Sequence, residues 1–202
     1  MVPTSATRES ASIILSLDQW LISNQVPDLI CGDMDSARPE ILQYFENLGV
    51  QVAEDKDQDS TDLMKSLAQI TRSDAKRDVL VYGSLGGRAD QAFSQLHQLY
   101  LTSATEPHEF NDVLLVAGSS LIIVLKPGQH QIETPVHKGG FSEYAGIVPL
   151  TGPATVTTEG FEWNLHGEEL AFGRFISTSN HITSDTVKID TSSPVVFTLE
   201  FD

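Results

Sequence analysis

Between residues 54 and 65 the chain reads EDKDQDSTDLMK, with Glu54, Asp55, Asp57, Asp59 and Asp62 crowded ahead of Lys65. A run of like charge is most often a solvated face. The chemical alternative is a hard-oxygen site for a divalent cation and phosphate. Two other loops have the same character: Gly32-Asp33-Met34-Asp35-Ser36 and Gly83-Ser84-Leu85-Gly86-Gly87-Arg88-Ala89-Asp90. Mg²⁺ takes one or two carboxylates plus water and substrate phosphates. Glycine-rich loops that run into helix N-termini offer backbone N–H groups to phosphate oxygens. Asp33 and Asp35 stand two apart, so both point into one site only if the chain leaves its strand and turns there. Lys65 and Arg88 supply positive charge in an otherwise acidic region. Lys65 follows Asp62 by three residues, a spacing that also fits a plain surface ion pair.

The elements around these loops give them a common position. Asp28 to Gly32 reads as a buried strand. Pro39 then opens a helix carrying Ile41, Leu42, Phe45 and Leu48 at helical spacing, and Gly49 ends it. Val50-Gln51-Val52 is the next strand, and Leu63, Leu67 and Ile70 form a helical stripe. Asp78 to Tyr82 is a further strand, and Ala92, Leu96, Leu99 and Tyr100 mark a third helix. Such alternation predicts an α/β domain over residues 1–125 with a mostly parallel, Rossmann-like sheet. Each acidic or glycine-rich loop follows a strand and precedes a helix. Ligands bind at the carboxyl ends of strands in open α/β sheets, so Asp33, Asp35, Asp62 and Asp90 are expected at one edge. From Lys126-Pro127-Gly128 the pattern changes. QHQIET, YAGIVPL, ATVTTEG, GRFIST, TVKID and VVFTLEF read as strands of an all-β sandwich over residues 126–202.

Other chemistries fail on spacing. Asp55, Asp57 and Asp59 fit the first three ligand positions of an EF-hand loop, but Ser60 stands where that loop needs Gly and Ser66 where it needs Glu. The chain contains no G-x-x-x-x-G-K-[ST], G-x-G-x-x-G, H-x-x-x-H or G-x-S-x-G. The formal net charge of −16 opposes binding to nucleic acid and to anionic membrane surfaces. Cys31 is the only cysteine, so no intrachain disulfide forms. The apolar stretch Ile13 to Leu17 is too short for a signal peptide core or a membrane span, which makes a soluble cytoplasmic protein the expectation.

Five ordered stretches carry a resemblance to a known family: PDLICGDMDS at 27–36, DQDSTDLMKSL at 57–67, GSLGGRADQ at 83–91, GIVPLTGPATVTTEGFEWNL at 146–165 and FISTSN at 175–180. Together they resemble thiamin pyrophosphokinase, and the wording DSTD and GGRADQ is most similar to its eukaryotic, fungal-like branch. The resemblance implies an α/β domain for ATP and Mg²⁺, a β-sandwich, and a homodimer with thiamin bound where subunits meet. It also implies transfer of a pyrophosphoryl group from ATP to thiamin, giving thiamin diphosphate and AMP. By position, Asp33, Asp35 and Asp62 resemble the metal ligands. Ser36, Asp59, Thr61 and Lys65 resemble phosphate-side residues, Arg88, Asp90 and Gln91 line the cleft, and Trp163, Ser177, Ser179 and Asn180 resemble the thiamin side. Asp90 would accept the proton of the thiamin hydroxyl. Each has an ordinary alternative: core packing for Trp163, a polar turn for Ser177, Ser179 and Asn180, and helix-entry charges for Arg88 and Asp90.

One implied feature is missing. The family carries a DGGANR-like segment between its first strand and PDLI, whereas here SASIILSLDQWLISN runs almost directly into Val26-Pro27-Asp28. A sheet lacking one strand and its helix is expected, with an exposed edge. That supports a second reading, a non-catalytic form that binds thiamin or pairs with a full-length subunit. A third is an unrelated Mg²⁺-dependent phosphohydrolase.

Overall fold

Strand-period alternation builds the centre of the molecule. The computed structural model describes residues 11–14, 26–35, 37–71, 77–104, 112–136 and 139–201. Within them the chain runs β1 (Ala11–Ile14), β2 (Leu29–Gly32), α1 (Pro39–Asn47), β3 (Gln51–Glu54), α2 (Asp62–Thr71), β4 (Asp78–Tyr82), α3 (Ala89–Ala104), β5 (Val113–Ala117) and β6 (Ser120–Leu125). It continues as strands alone: β7 (Gly128–Glu133), β8 (Tyr144–Val148), β9 (Ala154–Glu159), β10 (His166–Leu170), β11 (Ser177–His181), β12 (Thr186–Thr191) and β13 (Val195–Glu200).

The strands form three sheets: β1-β4-β5-β6-β13-β8-β11, β10-β9-β12-β7, and the separate pair β2-β3. The contacts β1 with β4, β4 with β5, and β2 with β3 are parallel. From β5 onward the large sheet is antiparallel.

β6 and β13 serve two cores at once. On one face Leu121, Ile123 and Leu125, with Val195, Phe197 and Leu199, pack against Val156, Leu170, Val187 and Ile189 of the four-stranded sheet. On the other, Ile122, Val124 and Val196 join Val79, Val81 and Leu115 beneath Leu67 of α2 and Leu99 of α3. Side chains alternate across a strand, so one pair of strands forms the wall between sandwich and helical layer. Full burial of a side chain such as Phe197, 1% exposed, is worth about 1.5–3 kcal/mol relative to leaving it in water. The β2-β3 pair has far less cover: Ile30, Phe45 and Val50 are buried together, with Met34, Ile41, Leu42 and Val52 packed beside them.

The expected helices form at their expected places. Pro39 stands in the first turn of α1, and Gly49, at φ 84°, ends it in the left-handed region that glycine adopts without strain. Three features differ from expectation. The large sheet crosses the boundary set at Lys126, because β6 pairs with β13 along its whole length. The parallel strands form two groups with no ladder between them among the described residues. The strand expected at GRFIST lies later, at Ser177–His181, and β5, β6 and β10 were not anticipated. In β10 only Leu170 is buried, so the charged edge sequence HGEEL has no alternation to reveal it.

Candidate active site

Asp33 and Asp35 meet the geometric condition that their spacing imposed. Met34, between them, adopts φ 61°, so the chain turns sharply as it leaves β2. The Asp35 N–H donates to Asp33 Oδ1 at 3.2 Å. That hydrogen bond holds the Asp33 carboxyl below the usual carboxylate range, and the positive charge of Lys65 adds to the effect. A non-glycine residue in this conformation is strained by roughly 1–3 kcal/mol. Ser36 lies outside the described residues.

Asp62 belongs to the same neighbourhood. A Cβ built on Gly32 would lie 3.1 Å from Asp62 Oδ1, so the end of β2 and the first residue of α2 nearly touch. The absence of a side chain at position 32 is what admits the carboxylate. Asp62 itself is exposed, whereas Lys65, one turn on, is buried with only 4% of its surface accessible. Its Nζ lies 3.9 Å from Asp62 Oδ1, a long ion pair rather than a hydrogen bond. A buried ammonium needs anionic neighbours, and the charge of Lys65 also lowers the pKa of Asp33 and Asp57. Lys65 is therefore within electrostatic reach of Asp33, Asp57 and Asp62.

The acidic run is ordered by its own side chains. The Asp57 N–H donates to Asp55 Oδ1 and the Asp59 N–H to Asp57 Oδ1, each at 3.0 Å, and Ser60 Oγ donates to Asp57 Oδ2 at 2.6 Å. The Ser60 hydroxyl, followed by the Asp59 N–H, holds Asp57 below the usual range. Asp59 is exposed. Thr61 caps α2, its Oγ1 accepting from the Met64 N–H at 3.3 Å. The Asp55 N–H donates to the Gly32 carbonyl at 2.8 Å, which ties this loop to the end of β2. Cys31 lies nearby, its thiol pushed up by burial and then by Asp55.

The glycine-rich loop follows β4. The N–H groups of Gly83 and Ser84 both donate to the Val116 carbonyl, at 3.1 and 3.0 Å, and Gln95 Oε1 accepts from the Leu85 N–H at 2.7 Å. Leu85 has φ 55° and Gly87 φ 72°. Arg88 donates from Nε and a terminal nitrogen to the two oxygens of Asp90, at 3.1 and 2.5 Å. Their hydrogen bonding holds Asp90 low and Arg88 high. Both are exposed, as is Gln91 at the start of α3. Asp33 and Asp35 follow β2, Asp62 opens α2 against Gly32 at the end of β2, and Arg88, Asp90 and Gln91 follow β4. Among the described residues, no three His, Cys, Asp or Glu side chains already stand as a metal cage. The carboxylates of Asp33, Asp35 and Asp62 do offer the hard oxygens that Mg²⁺ takes in ones or twos beside substrate phosphates.

The sandwich carries a different arrangement. Asn180, 4% exposed, has its amide turned onto the main chain: Oδ1 accepts from the Trp163 and His181 N–H groups at 3.2 and 2.9 Å, and Nδ2 donates to the Trp163 carbonyl at 2.9 Å. Ser177 is buried with it, its Oγ 3.4 Å from Asn180 Nδ2. Ser179, at φ 54°, is in a bulge of β11. Trp163 is 54% exposed and Tyr144 47%. The His181 imidazole meets both rings, at 5.0 and 5.1 Å between centroids. Its Nδ1 is 2.7 Å from Glu162 Oε2. Sequence reading reached Trp163 but not Tyr144, Glu162 or His181, which three different segments bring together with no shared spacing.

Comparison with known proteins agrees with this division. The profile of "Thiamin pyrophosphokinase, catalytic domain" matches residues 13–108, and that of "Thiamin pyrophosphokinase, vitamin B1 binding domain" matches residues 129–196. Thiamine pyrophosphokinase 1 of Oryza sativa subsp. japonica is 35% identical over 180 residues, covering 86% of this chain and 66% of the rice protein. Thiamine pyrophosphokinase 2 of Arabidopsis thaliana is 32% identical over 190 residues, covering 90% of this chain and 68% of its own. The chain therefore spans 66% of the length of the first of these relatives. Among solved structures, thiamin pyrophosphokinase from Candida albicans superposes with a TM-score of 0.85 at 19% identity, over 96% of this chain and 89% of that one. Both domains match in order, each on the half of the fold that carries the corresponding residues, and the chain belongs to the thiamin pyrophosphokinase family.

Proposed function

We propose that the protein transfers a pyrophosphoryl group from ATP to the hydroxyethyl oxygen of thiamin, releasing thiamin diphosphate and AMP. The observation that carries this reading is Asp62, set against Gly32 at the end of a parallel strand pair and 3.9 Å from the buried Lys65. Transfer of this kind asks chiefly for positioning and charge neutralisation. Asp33, Asp35 and Asp62 would hold Mg²⁺, which supplies neutralisation of phosphate charge when bound. Among the described residues Lys65 Nζ has one long ion pair, to Asp62, and its remaining donors would turn to a phosphate oxygen. Asp59, Thr61 and the loop carrying Ser36 border the phosphates, and Arg88, Asp90 and Gln91 close the other side. Asp90 takes the hydroxyl proton once Arg88 turns to the phosphates. Trp163 stacks on the planar cationic ring of thiamin, with Ser177, Ser179 and Asn180 shaping its support. The parallel strands are read as the remnant of a Rossmann-like sheet. The exposed aromatics Tyr144, Trp163, Phe172 and Phe175 fit a homodimer in which thiamin lies between subunits, in the cytoplasm.

Incubation with thiamin, ATP and Mg²⁺ tests the reading by product analysis. Thiamin diphosphate and AMP should appear in equal amounts. ADP in place of AMP rules out pyrophosphoryl transfer, and phosphate release without thiamin favours a phosphohydrolase. A second reading has its own observation: β2-β3 shares no ladder with β1-β4-β5 among the described residues, as a sheet short of one strand would. In that case the chain binds thiamin without turning it over, alone or paired with a full-length subunit.

A further inference from the structure

We infer that His181, anchored by Glu162, is a positioning residue that fixes the orientation of the Trp163 indole. The ligand half of this inference rests on the thiamin reading above; the structural half does not. Main-chain geometry brings the groups together first. The Glu162 N–H donates to the His181 carbonyl at 2.8 Å, Phe161 bridges to Ile182, and Asn180 clasps both main-chain polar groups of Trp163. Tyr144 and His181 are direct cross-strand partners on β8 and β11. The backbone at Trp163 is thereby fixed, but a clasped backbone leaves both side-chain torsions free. What the clasp does not fix, the imidazole does.

The His181 ring is held at three points. Glu162 Oε2 takes Nδ1 at 2.7 Å, Tyr144 meets the ring edge-on at 78° between planes, and Trp163 leans on it at 53°. An imidazole tied at one nitrogen and braced by a second ring forms a stop for the indole. Trp163 stays 54% exposed, so the surface away from the stop is presented to solvent. A planar cation stacking there meets a ring already oriented and does not have to immobilise it. Holding one such side chain in advance is worth about three- to tenfold in affinity. Glu162 also leaves negative charge beside the shelf, of the sign that favours a cationic ligand.

The test uses the full chain with Trp20 replaced by Phe, so that tryptophan emission and the long-wavelength tryptophan bands of the near-ultraviolet circular dichroism, beyond tyrosine absorption, report Trp163 alone. Without ligand, His181→Ala and Glu162→Ala are expected to weaken the Trp163 dichroism and lower its fluorescence anisotropy. Glu162→Gln, which keeps an acceptor for Nδ1, should restore both. With thiamin, His181→Ala is expected to raise Kd about three- to tenfold, and to add nothing in a Trp163→Ala background, because its effect passes through the indole. Unchanged Trp163 signals in a folded His181→Ala or Glu162→Ala chain would overturn the inference. So would an equal loss of affinity with and without Trp163. If the ligand-free signals move as expected while the unsubstituted chain fails to bind thiamin, the positioning role stands and the thiamin reading falls.

Discussion

The sandwich and the β2-β3 unit are built to different standards. In the sandwich, two sheets close on each other, and Val156, Leu170, Val187, Val195 and Phe197 are at most 1% exposed. The β2-β3 pair buries Ile30, Phe45 and Val50, with α2 reaching across from it to the larger core through Leu67. Yet the acidic loops, the strained Met34 and the buried Lys65 all belong to the smaller unit. Sites that must admit a ligand are drawn from the less stable parts of a fold. The rigid half presents a ring, and the thinner half gathers charge.

That contrast breaks most visibly by removing one core side chain from each region. Phe197→Ala should cost about 3–5 kcal/mol and lower the urea midpoint of the whole chain, because β13 faces both cores. Phe45→Ala should instead accelerate amide exchange across β2, α1 and β3 while the protection of β13 is kept. Equal loss of protection in both regions would mean that the two units unfold as one.

The next effect separates chemistry from stability. Asp62→Asn should reduce thiamin diphosphate formation by at least about a hundredfold, the scale of one preorganised electrostatic group. The melting temperature should stay within a degree or two of the parent, since Asp62 is exposed. A variant that loses activity only in proportion to its folded fraction would make Asp62 structural.

In the sandwich, Asn180→Ala leaves the Trp163 N–H and carbonyl without their partners. The expected loss is about 1–3 kcal/mol for unsatisfied buried polar groups, read by thermal denaturation. A change in Trp163 emission should accompany it. Thr61→Ala removes the cap of α2 and should cost about 1 kcal/mol, visible as faster exchange of the first-turn amides alone.

The smallest effect concerns pH. Asp57 is held below the usual carboxylate range by Ser60 and Asp59. A carboxylate with a depressed value contributes order that is complete above its unfolded-state range and is lost as pH falls through its own lower value. The 55–60 loop should therefore stay closed at acidities where a free aspartate is already protonating, and open below them. The Asp59 amide resonance would report the step. A transition in the ordinary aspartate range would show that the hydrogen bonds are not maintained in solution.

Much of this was legible in the sequence, and for identifiable reasons. Short segments rich in Val, Ile, Thr and Phe marked β9, β12 and β13, and turn chemistry marked α1 between Pro39 and Gly49. The loop carboxylates stood out because each loop follows a strand and precedes a helix, a position the structure gives to Asp33, Asp35, Asp62 and Asp90. β10 escaped because an exposed, charged edge strand has no buried face to alternate with. The domain boundary was drawn where helices stop, but sheets are not bound by helix content, and β6 and β13 join the two halves. The imidazole beside Trp163 escaped for a related reason: Tyr144, Glu162 and His181 become neighbours only through strand pairing. The burial of Lys65 was hidden too, since three-residue spacing from Asp62 fits a surface pair equally well.

Transfer of label from ATP marked at its β phosphorus tests the central claim most directly. With thiamin and Mg²⁺ present, the label should pass into thiamin diphosphate while AMP appears unlabelled, and Asp62→Asn should suppress that transfer. Label retained in ADP, or released as phosphate at a rate indifferent to thiamin, would contradict the account.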